Sequence, residues 1–413
     1  MASDTPNDPR SVVRRQAPPA SATRPLVTPI SPSVVFCAED ADALDAVYEG
    51  RAAGYSYARE GHPNATVLAD KLAWMEGLDP AKGETGVVTS SGMSAISALL
   101  LGLLKRGDHI VAGNQLYGRC LRLLTQELPR LGFEATLVDA GDAAAVAAAV
   151  RPRTRLLLVE VVANPTLRVA DITGLSKIAR SRGLIFAVDN TFTTPRGFRP
   201  FEHGADVVLH SVTKLLAGHS DATLGFVAAR DADHRRAIYD AVVTWGLNAS
   251  PFDCWLAERG LNTFELRFDR AQANAKALAD HLRGLEGVKQ VLYPGEDDHP
   301  DRDLARDLLH GNYSHMVSFE LDADRAGVNR FIRAAADIAF APTLGDVGTT
   351  ISHPASSSHR GLGSQQRLGL GIGEGFIRVS VGIEDIGLLK REFSVAVAAA
   401  GGGPTPSETA AHD

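Results

Sequence analysis

A chain of 413 residues, 45% hydrophobic and 22% charged, is long enough to bury a large core and to divide into about two or three domains. Its net charge of −7 and pI near 6.0 argue against nucleic acid or an anionic membrane as the main partner. Cys37, Cys120 and Cys254 are odd in number and far apart, with neither a disulfide framework nor a zinc-ligand spacing, and no apolar run reaches a membrane span. A reducing, cytoplasmic setting is the expectation.

Met1–Pro25 mixes Asp4 and Asp8 with four arginines, prolines and serines, and has no apolar core. It reads as a disordered tail and not as a signal peptide. From about Glu84 to Val227, short β-branched runs alternate with helical stretches. Strands are predicted at 86–89, 109–112, 133–138, 155–162, 184–188 and 207–209, with helices over 94–105, 116–131, 143–150 and 172–182 between them. That rhythm implies a mostly parallel sheet covered by helices, with ligands at the carboxyl ends of its strands. Near Ser250-Pro251 the rhythm changes to a long helix over 263–285, separated strands at 316–321 and 376–381, and a closing helix over 385–398. These make an α+β C-terminal domain, followed by a flexible tail from Gly401. No internal repeat is present.

Four places could carry chemistry. Val207, Val208 and Leu209 run into Ser211, Thr213 and then a single lysine, Lys214. Burial lowers a lysine pKa and exposes a nucleophilic amine, the kind that forms a Schiff base with pyridoxal phosphate, and the hydroxyls beside it suit a phosphate. An isolated lysine is more often simply solvated. Asp189 ends the strand Leu184–Val188, where a carboxylate needs a cation such as a pyridinium nitrogen; a surface or capping aspartate is the plainer reading. Ser90–Ser94 joins a strand to a helix start, where free N–H groups favour an anion, although an ordinary cap looks the same. Tyr117 opens the next helix and is placed either to stack on a ring or to pack.

Further along, Arg378 shares one face of its strand with Ser380, while Ile377, Val379 and Val381 share the other. It could clamp a carboxylate or lie on an open sheet face. Two competing motifs fail. Ser211-Val-Thr-Lys214 fits S-x-x-K, but neither S-D-N nor K-T-G occurs in the chain. Gly369–Gly375 is glycine-rich, but it precedes a strand instead of joining a strand to a helix, so a dinucleotide-binding oxidoreductase is disfavoured.

Taken together, the segments resemble the Cys/Met-metabolism family of pyridoxal-phosphate enzymes, which contains cystathionine γ-synthase, the cystathionine lyases, methionine γ-lyase and homoserine sulfhydrylases. The likeness runs from about Tyr57 to Glu384. Its most specific piece is Ala187-Val-Asp-Asn-Thr-Phe192 followed by His210-Ser-Val-Thr-Lys-Leu-Leu-Ala-Gly-His219. Tyr57-Ala-Arg59, Ser91-Gly92-Met93, Leu116-Tyr-Gly118, Asn164-Pro-Thr166, Leu344-Gly345, His353-Pro-Ala355 and 377–384 support it.

The resemblance implies an α/β, aspartate-aminotransferase-like fold (type I), with a mostly parallel seven-stranded large-domain sheet and a smaller α+β C-terminal domain. Expected divisions are an arm over 1–60 contacting a neighbouring subunit, a cofactor domain over 61–250, a C-terminal domain over 251–400 and a tail over 401–413. It also implies roles. Lys214 carries the Schiff base and moves protons, Asp189 meets the pyridinium, and Ser211, Thr213, Ser91 and the Gly92–Met93 amides hold the phosphate. Tyr117 stacks on the ring and helps with proton transfer. Tyr57 and Arg59 reach a neighbour's phosphate, which implies a homotetramer of site-sharing dimers. Arg378, Asn164 and Thr343 take the substrate carboxylate.

The expected reaction is elimination or replacement of a leaving group at Cγ or Cβ of an amino acid. Three departures blur the substrate: His62-Pro-Asn-Ala-Thr66 stands where the family has Asn-Pro-Thr, Arg119 follows Tyr117-Gly118, and Pro342 stands where cystathionine-specific members carry Glu. A specialised γ-lyase for an acidic-tailed or halogenated amino acid is compatible with them, as is a β-lyase. Arg119 either lies at the pocket mouth, favouring an acidic or polar distal group, or is a solvent-facing helix residue.

Overall fold

A computed structural model describes residues 21–401; the expected tails over 1–20 and 402–413 lie outside the described residues. A seven-stranded sheet is built from β1 (Gly86–Thr89), β2 (His109–Gly113), β3 (Glu134–Val138), β4 (Thr154–Glu160), β5 (Ile185–Asp189), β6 (Val207–Ser211) and β7 (Gly225–Ala229), in the order β1-β7-β6-β5-β4-β2-β3. Strands β6, β5, β4, β2 and β3 pair in parallel, while β7 runs antiparallel to both β1 and β6. The sheet is therefore mostly parallel, and β7 supplies the strand missing from the six expected.

Consecutive residues along these strands feed two different cores. Leu157, Val159, Phe186, Val188 and Val208 pack on one face, and Leu156, Leu158, Ala187, Val207 and Leu209 on the other. Burial on both faces explains why the strands read as unbroken apolar runs with no polar alternation.

Helices cover both faces, and their ends follow local chemistry. Gly92–Leu103 starts on Ser91, whose Oγ accepts the Ser94 N–H at 3.1 Å. Ile172–Arg182 starts on Asp171 and stops at Gly183 in the left-handed region. The helix expected over 116–131 is broken. Regular helix covers only Gly118–Arg122, a wider π turn follows over Leu123–Glu127, and a 3-10 turn over Leu128–Leu131 ends at Gly132. Pro129 has no N–H to continue the ladder, and Thr125 turns its hydroxyl back onto the Leu121 carbonyl at 2.8 Å.

The second sheet holds β8 (Val288–Leu292), β9 (Met316–Leu321), β10 (Ala339–Phe340), β11 (Thr350–Ser352) and β12 (Phe376–Ser380), ordered β10-β11-β12-β9-β8. One face carries Ile377, Val379, Val317 and Phe319 into a core where Phe319, Phe331 and Phe393 meet at centroid distances of 5.8–6.3 Å. The other face carries a buried polar row: Arg378 sits in register with Ser318 on β9 and Ser352 on β11. Helix Phe264–Arg283 joins the two sheets' cores, placing Phe264 and Phe268 in the first and Ala275, Leu278 and Leu282 in the second. Among the described residues, no helix is long and apolar enough to cross a membrane.

Candidate active site

The carboxyl ends of β4, β5 and β6 carry Glu160, Asp189 and Ser211. The Asp189 carboxylate accepts the Thr191 N–H at 2.9 Å, and the Thr191 hydroxyl in turn accepts the Ser211 N–H at 2.7 Å. Asp189 has no cationic hydrogen-bond partner among the described residues, and desolvation pushes its carboxyl up. Beneath it lies a fully buried pair, His210 Nε2 with Glu76 Oε1. The same Glu76 oxygen accepts Asn190 Nδ2 at 2.8 Å, so the ends of β5 and β6 are tied to one carboxylate.

Lys214 follows β6 by one tight turn. Its Nζ has one hydrogen-bond partner, Thr343 Oγ1 at 3.3 Å. Burial first and the Arg378 charge second hold its pKa below the ordinary lysine value. The segment behind it is clasped by buried Arg267, whose Nη1 donates to the Leu215 carbonyl at 2.6 Å and Nη2 to the Leu216 and Gly260 carbonyls at 3.1 and 2.9 Å. From the C-terminal sheet, Gly345 packs so closely that a Cβ there would lie 2.4 Å from the Leu215 nitrogen; its φ of +81° suits only glycine readily.

Arg378 is 5% exposed, so the open-sheet-face reading does not hold. Nη1 donates to Asn164 Oδ1 at 3.0 Å, Nη2 donates to the Thr343 carbonyl, and Nε has no partner. Burial lowers this guanidinium to about 10. A buried arginine without a carboxylate, and with a donor left over, is built to receive an anion. Asn164, Arg378, Thr343 and Lys214 thus form one hydrogen-bonded line assembled from four separate segments.

Ser91, Gly92 and Met93 open their helix, where N–H groups lack intrahelical acceptors. The helix start rests directly on β6: a Cβ on Gly92 would lie 2.7 Å from that of Ser211. The Thr213 hydroxyl is committed in both directions, donating to the Leu224 carbonyl at 3.1 Å and accepting its N–H at 2.9 Å. Tyr117 is 45% exposed, and its N–H donates to Glu160 Oε1 at 2.7 Å. Tyr57 and Arg59 pair with each other, guanidinium over ring at 5.6 Å, and Arg59 also donates to the Val243 carbonyl. Among the described residues, no hydrogen bond joins them to Lys214 or Asp189. Arg119 is exposed, and its side chain makes no hydrogen bond or ion pair among the described residues.

Glu160, Thr191, Arg267 and the Glu76–His210 pair are site residues that the sequence reading did not single out. Glu160 ends an apolar strand, as Asp189 does, and that signal was available. Extending the strand to Val162 hid it by placing Glu160 in mid-strand.

The residues fit pyridoxal phosphate on observations of this structure: a carboxylate without a cation, a desolvated amine on a hydroxyl, and a helix start with free amides. The Cys/Met metabolism PLP-dependent enzyme family model matches residues 11–398. The chain is 37% identical over 343 residues to cystathionine beta-lyase MetC of Bacillus subtilis (83% of this chain, 86% of that one). It is 38% identical over 367 residues to L-methionine gamma-lyase of Pseudomonas putida (87% and 89%). Cystathionine gamma synthase of Xanthomonas oryzae pv. oryzae, crystallised with aminoacrylate and cysteine, superposes with a TM-score of 0.85 at 34% identity, covering 91% of this chain and 94% of that one. The chain belongs to the Cys/Met metabolism family of PLP-dependent enzymes, with the type I fold. It is a PLP-dependent lyase or synthase of the trans-sulfuration type.

Proposed function

We propose that the protein eliminates or replaces a leaving group at Cγ, or at Cβ, of a free amino acid, as a γ-lyase or γ-synthase. The observation that supports this most is buried Arg378, its Nε unpartnered, joined through Thr343 to the Lys214 amine. A carboxylate site and a basic amine that meet at Thr343 suit an α-amino acid. The bound cofactor supplies a carbonyl that captures the amine and a ring that accepts electrons from Cα.

The chain's own residues do the rest. Arg378, with Asn164 and Thr343, binds and orients the α-carboxylate. Asp189 provides the negative charge that a ring nitrogen needs to stay protonated. Ser211, Ser91 and the Gly92–Met93 amides receive the phosphate, with Thr213 joining them only by releasing Leu224. Tyr117 lies against the ring. Lys214, desolvated and therefore free to act as a base, takes the proton from Cα; expulsion from Cγ needs a second removal, at Cβ, within reach of the same mobile amine. Tyr57 and Arg59, exposed and turned to each other here, serve a neighbouring subunit's phosphate in a homotetramer of site-sharing dimers. The chain divides as 1–60, 61–250, 251–400 and 401–413, and works in the cytoplasm.

Arg119, a cation with no partner of its own, favours a substrate with an acidic or polar distal group, a specialised γ-lyase being the alternative to a general one. Cystathionine, methionine, homocysteine, and O-acyl- and halogenated homoserines, supplied to wild type and to Arg119→Gly, test both statements by 2-oxo acid release against replacement product. No product from any member of the panel sinks the reaction. An unchanged ratio of kcat/KM between acidic-tailed and neutral substrates in Arg119→Gly sinks the role of Arg119.

A further inference from the structure

The strand end beside Asp189 carries a second carboxyl group to which the proposed reaction gives no task. Glu160 closes β4, and strand register sets it directly beside Asp189. Its Oε1 accepts the Tyr117 N–H at 2.7 Å, and the chain runs on from Glu160 to Asn164 only four residues later. Tyr117 stands just before its helix and Asn164 lies in a loop, so neither amide has a regular backbone acceptor. Glu160 thus holds the Tyr117 backbone to the end of the strand that leads into Asn164, tying together two residues set to touch opposite parts of the reactant, the ring and the α-carboxylate.

We propose that Glu160 is a positioning residue, fixing the spacing between the Tyr117 ring and the Asn164–Arg378 carboxylate site. The inference rests on the roles given above to Tyr117 and Asn164. Because Asp189 lies alongside, a charged Glu160 would crowd a second negative charge into the same desolvated place. Burial and the Asp189 charge push its carboxyl well up, toward the neutral form. In accepting the Tyr117 N–H, the carboxyl oxygen is mimicked by glutamine, whose carbonyl oxygen accepts in the same way. Alanine removes the acceptor, while the bond from Thr166 to Gln115 still joins the two loops.

The test compares Glu160→Gln and Glu160→Ala with wild type by amide hydrogen exchange of peptides spanning 114–120 and 161–167, in cofactor-free and PLP-loaded protein. Visible circular dichroism of bound PLP and the separate KM and kcat values complete it. Glu160→Ala is expected to speed exchange in the 114–120 peptide roughly tenfold, the equivalent of one hydrogen bond. It should also alter the cofactor's dichroism and raise KM more than it lowers kcat. Glu160→Gln should match wild type in all three. Unchanged exchange in the 114–120 peptide of Glu160→Ala overturns the proposal, and so does Glu160→Gln exchanging like Glu160→Ala. If Glu160→Ala does not fold, Glu160→Gln decides alone: wild-type exchange and dichroism uphold the proposal, and faster exchange in either peptide overturns it. Wild-type protein that binds PLP but turns over no amino acid would retire the reaction, while the exchange result on cofactor-free protein would still judge Glu160.

Discussion

Replacing Arg378 by lysine keeps the charge and removes the fork. In the protein as it stands, Nη1 holds Asn164 Oδ1 at 3.0 Å and Nη2 holds the Thr343 carbonyl, leaving Nε and the remaining Nη hydrogens for an incoming carboxylate. An ammonium at the same place has three hydrogens, two of them needed for Asn164 and Thr343, so the carboxylate keeps one point contact in place of a planar pair. Loss of one charge-assisted hydrogen bond costs about 1.5–3 kcal/mol, or roughly 10- to 150-fold in kcat/KM. The α-carboxylate is held alike before and during reaction, so the loss should appear mainly in KM. Steady-state 2-oxo acid release from Arg378→Lys measures it, with the absorbance of bound PLP showing that the cofactor is retained. Binding of the corresponding amine without its α-carboxylate serves as the control and should be unchanged. A kcat/KM within about threefold of wild type, or an equal loss for the amine control, would refute the reasoning.

Lys214 gives a pH prediction for the cofactor-free protein. Its folded pKa is lowered from 10.5, so between the lowered value and 10.5 the unfolded chain holds a proton that the folded chain lacks, and stability rises with pH across that window. The gain in melting temperature from Lys214→Met should therefore be largest at lower pH and shrink as pH nears about 10.5; a constant gain contradicts the burial argument. Asp301 offers a test of how the second sheet is joined to the first. It holds Arg168 through both carboxylate oxygens and accepts the Val169 N–H at 2.8 Å. Asp301→Ala should lower the free energy of unfolding by about 2–3 kcal/mol, less than the roughly 3–5 kcal/mol for breaking a fully buried pair because Arg168 is partly solvated. Urea titration with an unchanged midpoint would remove that link from the account.

Much of the large sheet was legible because its signals are local. Strands buried on two faces read as short apolar runs between helix signals, and six of the seven were predicted within a few residues. β7 escaped because nothing in Gly225–Ala229 announces its direction: it follows the Lys214 turn and pairs backwards between β1 and β6. The helix over 116–131 was misjudged for a different reason. Its leucines keep helical spacing, but Pro129 and Thr125 alter the backbone bonding beneath that spacing. Within the site, Lys214 and Asp189 stood out as polar residues ending apolar strands. Glu160 obeys the same rule and was lost to a boundary error of two residues.

By itself, then, the order of residues determined the alternation of strand and helix, the place of Lys214 after a buried strand, and the charge at the end of β5, because each depends on neighbours a few positions away. Only the tertiary structure decided which groups Lys214 and Arg378 meet. Thr343, Asn164 and Gly345 arrive from segments far apart in the chain, and a donor's partner is set by how those segments pack. Periodicity reports which face of an element is buried, not which carbonyl or hydroxyl waits on the other side.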